Sequence, residues 1–352
     1  MKRATTLADV ARAAGVSKGT AGNVFSRPEL VGAGLRERVE AAAHSLGYAG
    51  PDPKGRVLSS GKVNAVGVVM PGAYPISIAF RHPYMRDFLA GVTDVCDEHG
   101  AGLSLVSGID DQKAWGIRNA LVDGLIFGRI EEVDLIEHAR RRRLPFVVMD
   151  ADGGADVSSV RIDDRGGARQ AAQHLVDLGH RRFAIVSVMR QSGRGPILHG
   201  KAERPHDLVA GYPMDRERLH GCAEVFASIG ISIDEVPIVE INSNEGVSEG
   251  ASLLLDRAPE ATAVLCMGDP QALGVLDEAR RRNIAVPRDL SVVGFDDSPE
   301  AVLAEPPLTT VAQPVVEKGR VAARMLFDGG PPRHVVLPVS LIVRGSTAPP
   351  RA

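Results

Sequence analysis

Residues 6–26 read TLADVARAAGVSKGTAGNVFS, and this stretch decides how the chain begins. Leu7, Val10, Ala11 and Ala14 recur at helical spacing. Thr6 can cap the helix they form, and Asp9 stands three residues on, as in a capping box. Gly15 ends the helix, Val16 fills a turn, and Ser17 caps a second helix whose apolar positions are Ala21, Val24 and Phe25. Arg27-Pro28 stops that helix. A third is predicted from Gly34 to Leu46, burying Leu35, Val39, Ala42, Ala43 and Leu46 before Gly47 terminates it. Three helices around one small core, the first two joined by a tight turn, make a helix-turn-helix head over residues 1–50.

Working outward, charge separates this head from the rest. Residues 1–62 hold ten basic and five acidic side chains, which leaves 31 basic and 39 acidic ones beyond them. A basic head on an acidic body suits polyanion binding, because neutralising phosphates releases counterions. From Gly50 to Gly61 the composition turns to Pro, Gly, Ser and charge, which is linker chemistry, so a hinge is expected over 51–62. Past it, short apolar runs near 65–70, 103–107, 124–127, 146–149, 160–163, 183–188, 236–241, 263–267 and 291–295 alternate with amphipathic stretches. Such alternation implies βαβ units, and about 290 residues of it point to two doubly wound parallel-sheet lobes with ligands at the carboxyl ends of their strands. The segment between Val188 and Arg216 breaks the rhythm and is either a functional flap or disordered.

Composition excludes several classes. With 352 residues and 44% hydrophobic content the chain can bury large cores. Cys96, Cys222 and Cys266 lie far apart without a C-x-x-C pair, against a disulfide framework or a cysteine-rich zinc site and for a reducing, cytoplasmic setting. No run approaches the length of a membrane span, and residues 1–10 carry no signal-peptide pattern. Gly246-Val247-Ser248-Glu249-Gly250 matches a G-x-S-x-G nucleophile elbow, with Asp269, Asp296 and His334 following. Its serine, however, does not directly follow a strand. Gly195–Lys201 resembles a P-loop but has Ala202 where Ser or Thr should hold magnesium. Neither an enzyme nor a cofactor is expected, and His199, His206 and His220 lack metal-ligand spacing.

The ordered motifs resemble the lac repressor (LacI/GalR) family of bacterial transcription regulators. The head carries Thr6–Ala11, Ala14–Ser17, Thr20, Val24, Arg38-Val39, Ala42 and Leu46–Tyr48. The body adds His174-Leu175, Leu178–Arg181, Arg216–Leu219 with Gly221, Asp269 with Ala272–Gly274, Val286-Pro287, Asp289–Asp297, Pro307–Val311 and Gln313-Pro314. The resemblance implies an all-α helix-turn-helix head plus an α/β body like that of periplasmic sugar-binding proteins, two lobes joined by three crossovers. Placed on the motif, Lys18, Gly19 and Asn23 face bases, while Thr6, Ser17, Thr20 and Ser26 reach phosphates. Lys18 suits guanine and Asn23 adenine. The alternative makes Lys18 and Asn23 plain solvated positions. Ala21-Gly22-Asn23 departs from the family's usual Val-Ser-Arg or Val-Ser-His, so operator preference does not transfer.

In the hinge, Leu58 would wedge a minor-groove base step and Arg56 would contact the groove or a phosphate, unless the segment is a plain tether. In the cleft, Asp150, Arg216, Asp296 and Gln313 match ligand-facing positions, with Tyr74 or Phe80 available for stacking. Strand-end capping, a surface ion pair, backbone satisfaction and core packing are the competing roles for these residues. The expected partners are a double-stranded DNA operator, a small effector such as a sugar or nucleobase, and a second copy of the chain in a homodimer. The expected body is 63–345, with one lobe at about 63–163 and 314–333, the other at about 164–311 and 334–345, and a tail at 346–352. A binding protein without DNA function, or a serine hydrolase using Ser248, are the other readings of the sequence.

Overall fold

In the head, α1 (Leu7–Ala14), α2 (Lys18–Ser26) and α3 (Ala33–Ser45) form where the apolar spacing places them. The structure, a computed structural model, describes residues 5–51, 57, 61–70, 76–107, 110–128, 133–151, 154–188, 195–199, 212–241 and 246–351. Val10, Ala11, Ala14, Ala21, Val24, Val39 and Ala43 close a core of their own, joined by Val31 from the turn after α2. Leu46 does not join it as expected and stays 39% exposed. It is the C-cap residue, beyond the last turn of α3, although its spacing from Val39 and Ala43 would put it on the buried face. Met1–Val63 and Asn64–Ala352 are separate compact units.

The body contains two sheets. The first holds β1 (Ala65–Val69), β2 (Gly102–Val106), β3 (Gly124–Gly128), β4 (Phe146–Met149), β5 (Ser158–Ile162) and β12 (His334–Leu337), in the order β12-β5-β4-β3-β1-β2. The second holds β6 (Phe183–Val188), β7 (Ile197–His199), β8 (Ile238–Ile241), β9 (Ala263–Cys266), β10 (Ser291–Asp296), β11 (Thr309–Ala312) and β13 (Ser340–Ile342), in the order β13-β11-β10-β9-β6-β8-β7. Among the described residues all pairings are parallel except at the two edges of the second sheet, where β13 and β7 run antiparallel to their neighbours. Central strands such as β3 and β9 are buried along their whole length, which is why they read as continuous apolar runs. The chain crosses between sheets three times, after β5, after β11 and after β12.

Helix pairs close one face of each sheet. In the first lobe α4 (Pro83–Glu98) packs on α12 (Val315–Asp328), and in the second α7 (Asp164–Asp177) packs on α8 (Pro213–Ser228). Both crossings are backbone to backbone. A Cβ on Gly91 would come within 1.9 Å of Val316 O, one on Gly319 within 2.2 Å of Phe88 O, and one on Gly221 within 2.3 Å of Arg165 O. Among the described residues the body also holds a short helical turn (Ile78–Arg81) and α5 (Asp110–Asn119), α6 (Val133–Arg141), α9 (Val247–Arg257), α10 (Asp269–Arg281) and α11 (Pro299–Leu303).

Two expected boundaries change. Residues 334–337 pair with β5 in the first sheet, while only the strand after them, β13, joins the second. Residues 346–351 are no free tail. Ser346 is fully buried, its hydroxyl donating to Val292 O at 2.6 Å and accepting from Thr309 N at 2.8 Å, and Ala348 O bonds the ring of His180. Backbone groups of β10 and β11 that would otherwise be buried unpaired are what hold this segment.

Candidate nucleic-acid interface and ligand cleft

Ser17 opens α2 by accepting the Thr20 N–H at 3.0 Å, and its hydroxyl also meets that of Thr20 at 2.8 Å. Sharing one hydrogen bond leaves this pair one hydroxyl proton to give a phosphate. Ahead of α1, Thr6 gives both its N–H and its hydroxyl to Asp9, and Ser26 donates back to Gly22 O at 2.9 Å. At about 100° per residue, Lys18, Gly22, Ser26, Gly19 and Asn23 fall in an arc of about 140°, opposite the Ala21 and Val24 that enter the core. Lys18, Gly19, Asn23 and Ser26 are all exposed, so the arc is a solvent-facing polar stripe. Gly22 is not needed for space, since a Cβ there would meet only Leu7 Cδ2 at 3.6 Å. Arg56, Leu58 and Tyr74 lie outside the described residues.

In the body the structure joins three of the expected residues through one that sequence reading missed. Lys318, buried on α12, donates to Asp150 Oδ1 at 2.7 Å, Gln313 Oε1 at 2.9 Å and the Tyr84 hydroxyl at 3.1 Å. Three protons therefore meet three acceptors. Tyr84 in turn donates to Asp150 Oδ2 at 2.6 Å, and Gln313 Nε2 donates to Asp296 Oδ1 at 2.5 Å. The chain Asp150–Lys318–Gln313–Asp296 thus runs from the end of β4 in the first sheet to the end of β10 in the second. Both aspartates sit at strand ends and at positive φ, 51° and 119°.

Arg216 behaves otherwise. It is exposed, at the rim of a 330 Å³ cavity between the lobes that Asp150, Asp164 and Met214 also line. Two residues on, about 200° around the helix, Arg218 turns inward. Its Nε donates to Asp164 Oδ1 at 2.8 Å, its Nη1 to Met267 O at 2.5 Å, and its guanidinium lies 3.6 Å from the ring centre of Phe295, the residue before Asp296. Burial pushes the Asp164 carboxyl up and the adjacent Arg218 charge draws it back, leaving it above its ordinary value. Arg218 is therefore the buried arginine that holds the cavity-lining Asp164, and Arg216 the exposed one at the rim. Phe80 is 65% exposed in the short helical turn Ile78–Arg81.

Helical spacing held the signal for the missed residues. Lys318 shares a face with Val315 and Ala322, and Arg218 with Cys222 and Val225, so both are charges placed on an apolar stripe. The hydrolase constellation is not assembled. Ser248 Oγ accepts from Arg281, whereas His334 bonds Ser159 in the first sheet. Among the described residues no cluster could hold a metal ion, and no helix is long and apolar enough to cross a membrane. All three cysteines are buried and unpaired.

Comparison with known proteins agrees with both units. Residues 6–50 match the model of bacterial regulatory proteins of the lacI family, and residues 172–347 that of a periplasmic binding protein-like domain. An HTH-type transcriptional regulator of Mycobacterium tuberculosis is 39% identical, with 100% of this chain and 99% of that protein covered. The solved complex of the transcriptional regulator CelR with cellobiose aligns with a TM-score of 0.69 and 30% identity, covering 97% of this chain and 100% of that one. The lac repressor dimer bound to operator and the anti-inducer ONPF aligns with a TM-score of 0.77 and 26% identity, covering 98% of this chain and 100% of that one. With a capped helix-turn-helix in its first unit, a two-lobed α/β fold in its second, and relatives matched along the whole length, this chain belongs to the lacI family of bacterial regulatory proteins and is a DNA-binding transcriptional regulator.

Proposed function

We propose that the protein is a cytoplasmic repressor that binds a palindromic operator as a homodimer and changes its DNA affinity when a sugar or sugar derivative enters the cleft. The observation that carries this is the Asp150–Lys318–Gln313–Asp296 chain, a polar network reaching across two lobes at the carboxyl ends of their strands. A ligand whose hydroxyls engage these acceptors, and the Arg218 donors beside them, stabilises one lobe arrangement over another. That difference is what shifts DNA affinity. The cellobiose held by CelR and the operator held by the lac repressor dimer support a sugar as effector and a dimer on DNA.

On DNA, Lys18, Gly19 and Asn23 read base edges, while Thr6, Ser17, Thr20 and Ser26 hold phosphates. Arg56 and Leu58 are assigned to the minor groove at the hinge. One reading helix covers only part of a site, so two copies on a two-fold axis are required. The test is selection of genomic fragments by the full-length protein at ~150 mM salt, where phosphate contacts alone bind weakly. An enriched palindrome is expected, and Lys18→Ala should relax base preference at one position by about 1–3 kcal/mol while Ser17→Ala weakens all sequences alike. No enriched sequence, or equal losses on operator and random DNA for Lys18→Ala, would sink the assignment.

A further inference from the structure

The interlobe cavity carries charge that the sugar reading leaves unused. Its carboxylates are already engaged by the protein. Asp150 is held by Lys318 and Tyr84, Asp164 by Arg218, and Asp163 accepts the Gly166 N–H at 2.8 Å as the cap of α7. Arg165 is taken up by Glu224 and lies 3.9 Å from Glu217. Two guanidiniums remain, those of Arg161 on β5 and Arg216 in the first turn of α8. Both line this cavity, both are exposed, and neither side chain has a hydrogen-bond or ion-pair partner among the described residues. They come from opposite lobes. Val336, paired with Arg161 across the sheet and 49% exposed, gives the cavity an apolar wall beside them.

We propose that the effector is anionic, and that its phosphate or carboxylate group is gripped between Arg161 of the first lobe and Arg216 of the second. The inference rests on the reading of the cleft as an effector site and names the chemical class of its occupant. Guanidinium forks match the oxygens of either anion in a bidentate way, and charge-assisted bonds are the strong ones. A group held from both lobes binds the closed arrangement better than the open one, which is the differential affinity a switch needs. The body of the ligand would lie on Val336, with its hydroxyls toward Asp150.

The test uses the full-length protein, with inorganic phosphate and acetate as separate minimal probes, in buffers matched to constant ionic strength with chloride. Binding is followed by calorimetry and melting temperature. Saturable binding of one anion per chain is expected, and the better of the two probes identifies the group. Arg161→Ala and Arg216→Ala should each weaken it about tenfold or more, with Arg216→Lys recovering part. Arg169→Ala, an exposed arginine outside the cavity, should leave it unchanged. Absence of saturable binding by either probe, or equal effects of all three alanine variants, overturns the proposal. Selection of operator DNA on the same preparations separates the two readings. An intact palindrome with no anion binding removes only the anionic class, whereas loss of any specific DNA site removes the regulator assignment itself.

Discussion

Lys318 Nζ stands 2.7 Å from Asp150 Oδ1, and the two side chains are 1% and 3% exposed. A buried pair of this kind is not a strong stabiliser in itself, because desolvating both charges offsets most of their attraction. Breaking it is costly. Lys318→Met leaves an enclosed carboxylate without its cation, and should lower unfolding free energy by about 3–5 kcal/mol. Adding Asp150→Asn should recover part of that loss. Denaturant unfolding of the single and double variants measures both, and purely additive losses would mean that the pair is not coupled.

Arg216 and Arg218 differ by two residues and by environment. Arg218→Ala removes the partner of buried Asp164 and the cation over Phe295, so a loss of about 2–4 kcal/mol is expected. Arg216→Ala should stay within about 0.5 kcal/mol of the native protein, as exposed substitutions do. Equal melting temperatures for the two variants would contradict the geometry.

The glycine crossings are a packing requirement. Gly319→Ala on α12 places a methyl against the backbone of Phe88, and the two helices must separate to admit it. An unfolding loss of about 1–3 kcal/mol follows, with the first lobe losing amide protection before the second. Hydrogen exchange by mass spectrometry resolves the lobes.

Asp269 lies wholly enclosed at the start of α10, accepting from Ser298 N and from the Thr310 hydroxyl, each at 2.6 Å. Burial, then the neighbouring Asp296, pushes its carboxyl up to about 7 from an ordinary 3.8. Between those values the folded protein keeps a proton that the unfolded chain has released. The stability this group confers is therefore fullest at the acid end and falls as pH rises towards 7. Asp269→Asn abolishes that titration. The melting temperature of the variant minus that of the native protein should rise from about pH 5 to about pH 8, and a difference that is flat across this range would refute the assignment.

Gly22 weakens α2 without serving its packing. Gly22→Ala should stabilise α2 by about 1 kcal/mol, slowing amide exchange there about fivefold in the absence of DNA. Unchanged or faster exchange would show that the position needs glycine.

Much of the molecule was legible beforehand. The three head helices and the nine apolar strands from β1 to β10, β7 excepted, each carry their own periodicity, because every one buries a continuous stripe or run against its neighbours. The four strands that escaped notice are short, three or four residues each. Their pairing is decided by partners far away, as when His334–Leu337 joins β5 from 175 residues on. The candidate site divides the same way. Asp150 follows a legible strand, and Asp296 and Gln313 stand in recognisable strings, but Tyr84 and Lys318 enter through the crossing of α4 and α12 at glycines.

The sequence by itself determined the class of protein: a capped helix-turn-helix with a basic balance, a Pro/Gly-rich hinge, and a body of alternating strands and helices. Local periodicity and turn chemistry suffice for that, since each element is specified by residues within a few turns of one another. Only the tertiary structure decided which charges share a cleft. It placed Lys318 beside Asp150, turned Arg218 inward, and left Arg161 and Arg216 facing one cavity. The reason is that ion pairing depends on distances of a few ångströms between residues as far apart along the chain as Asp150 and Lys318, 168 positions, which no spacing along the chain records.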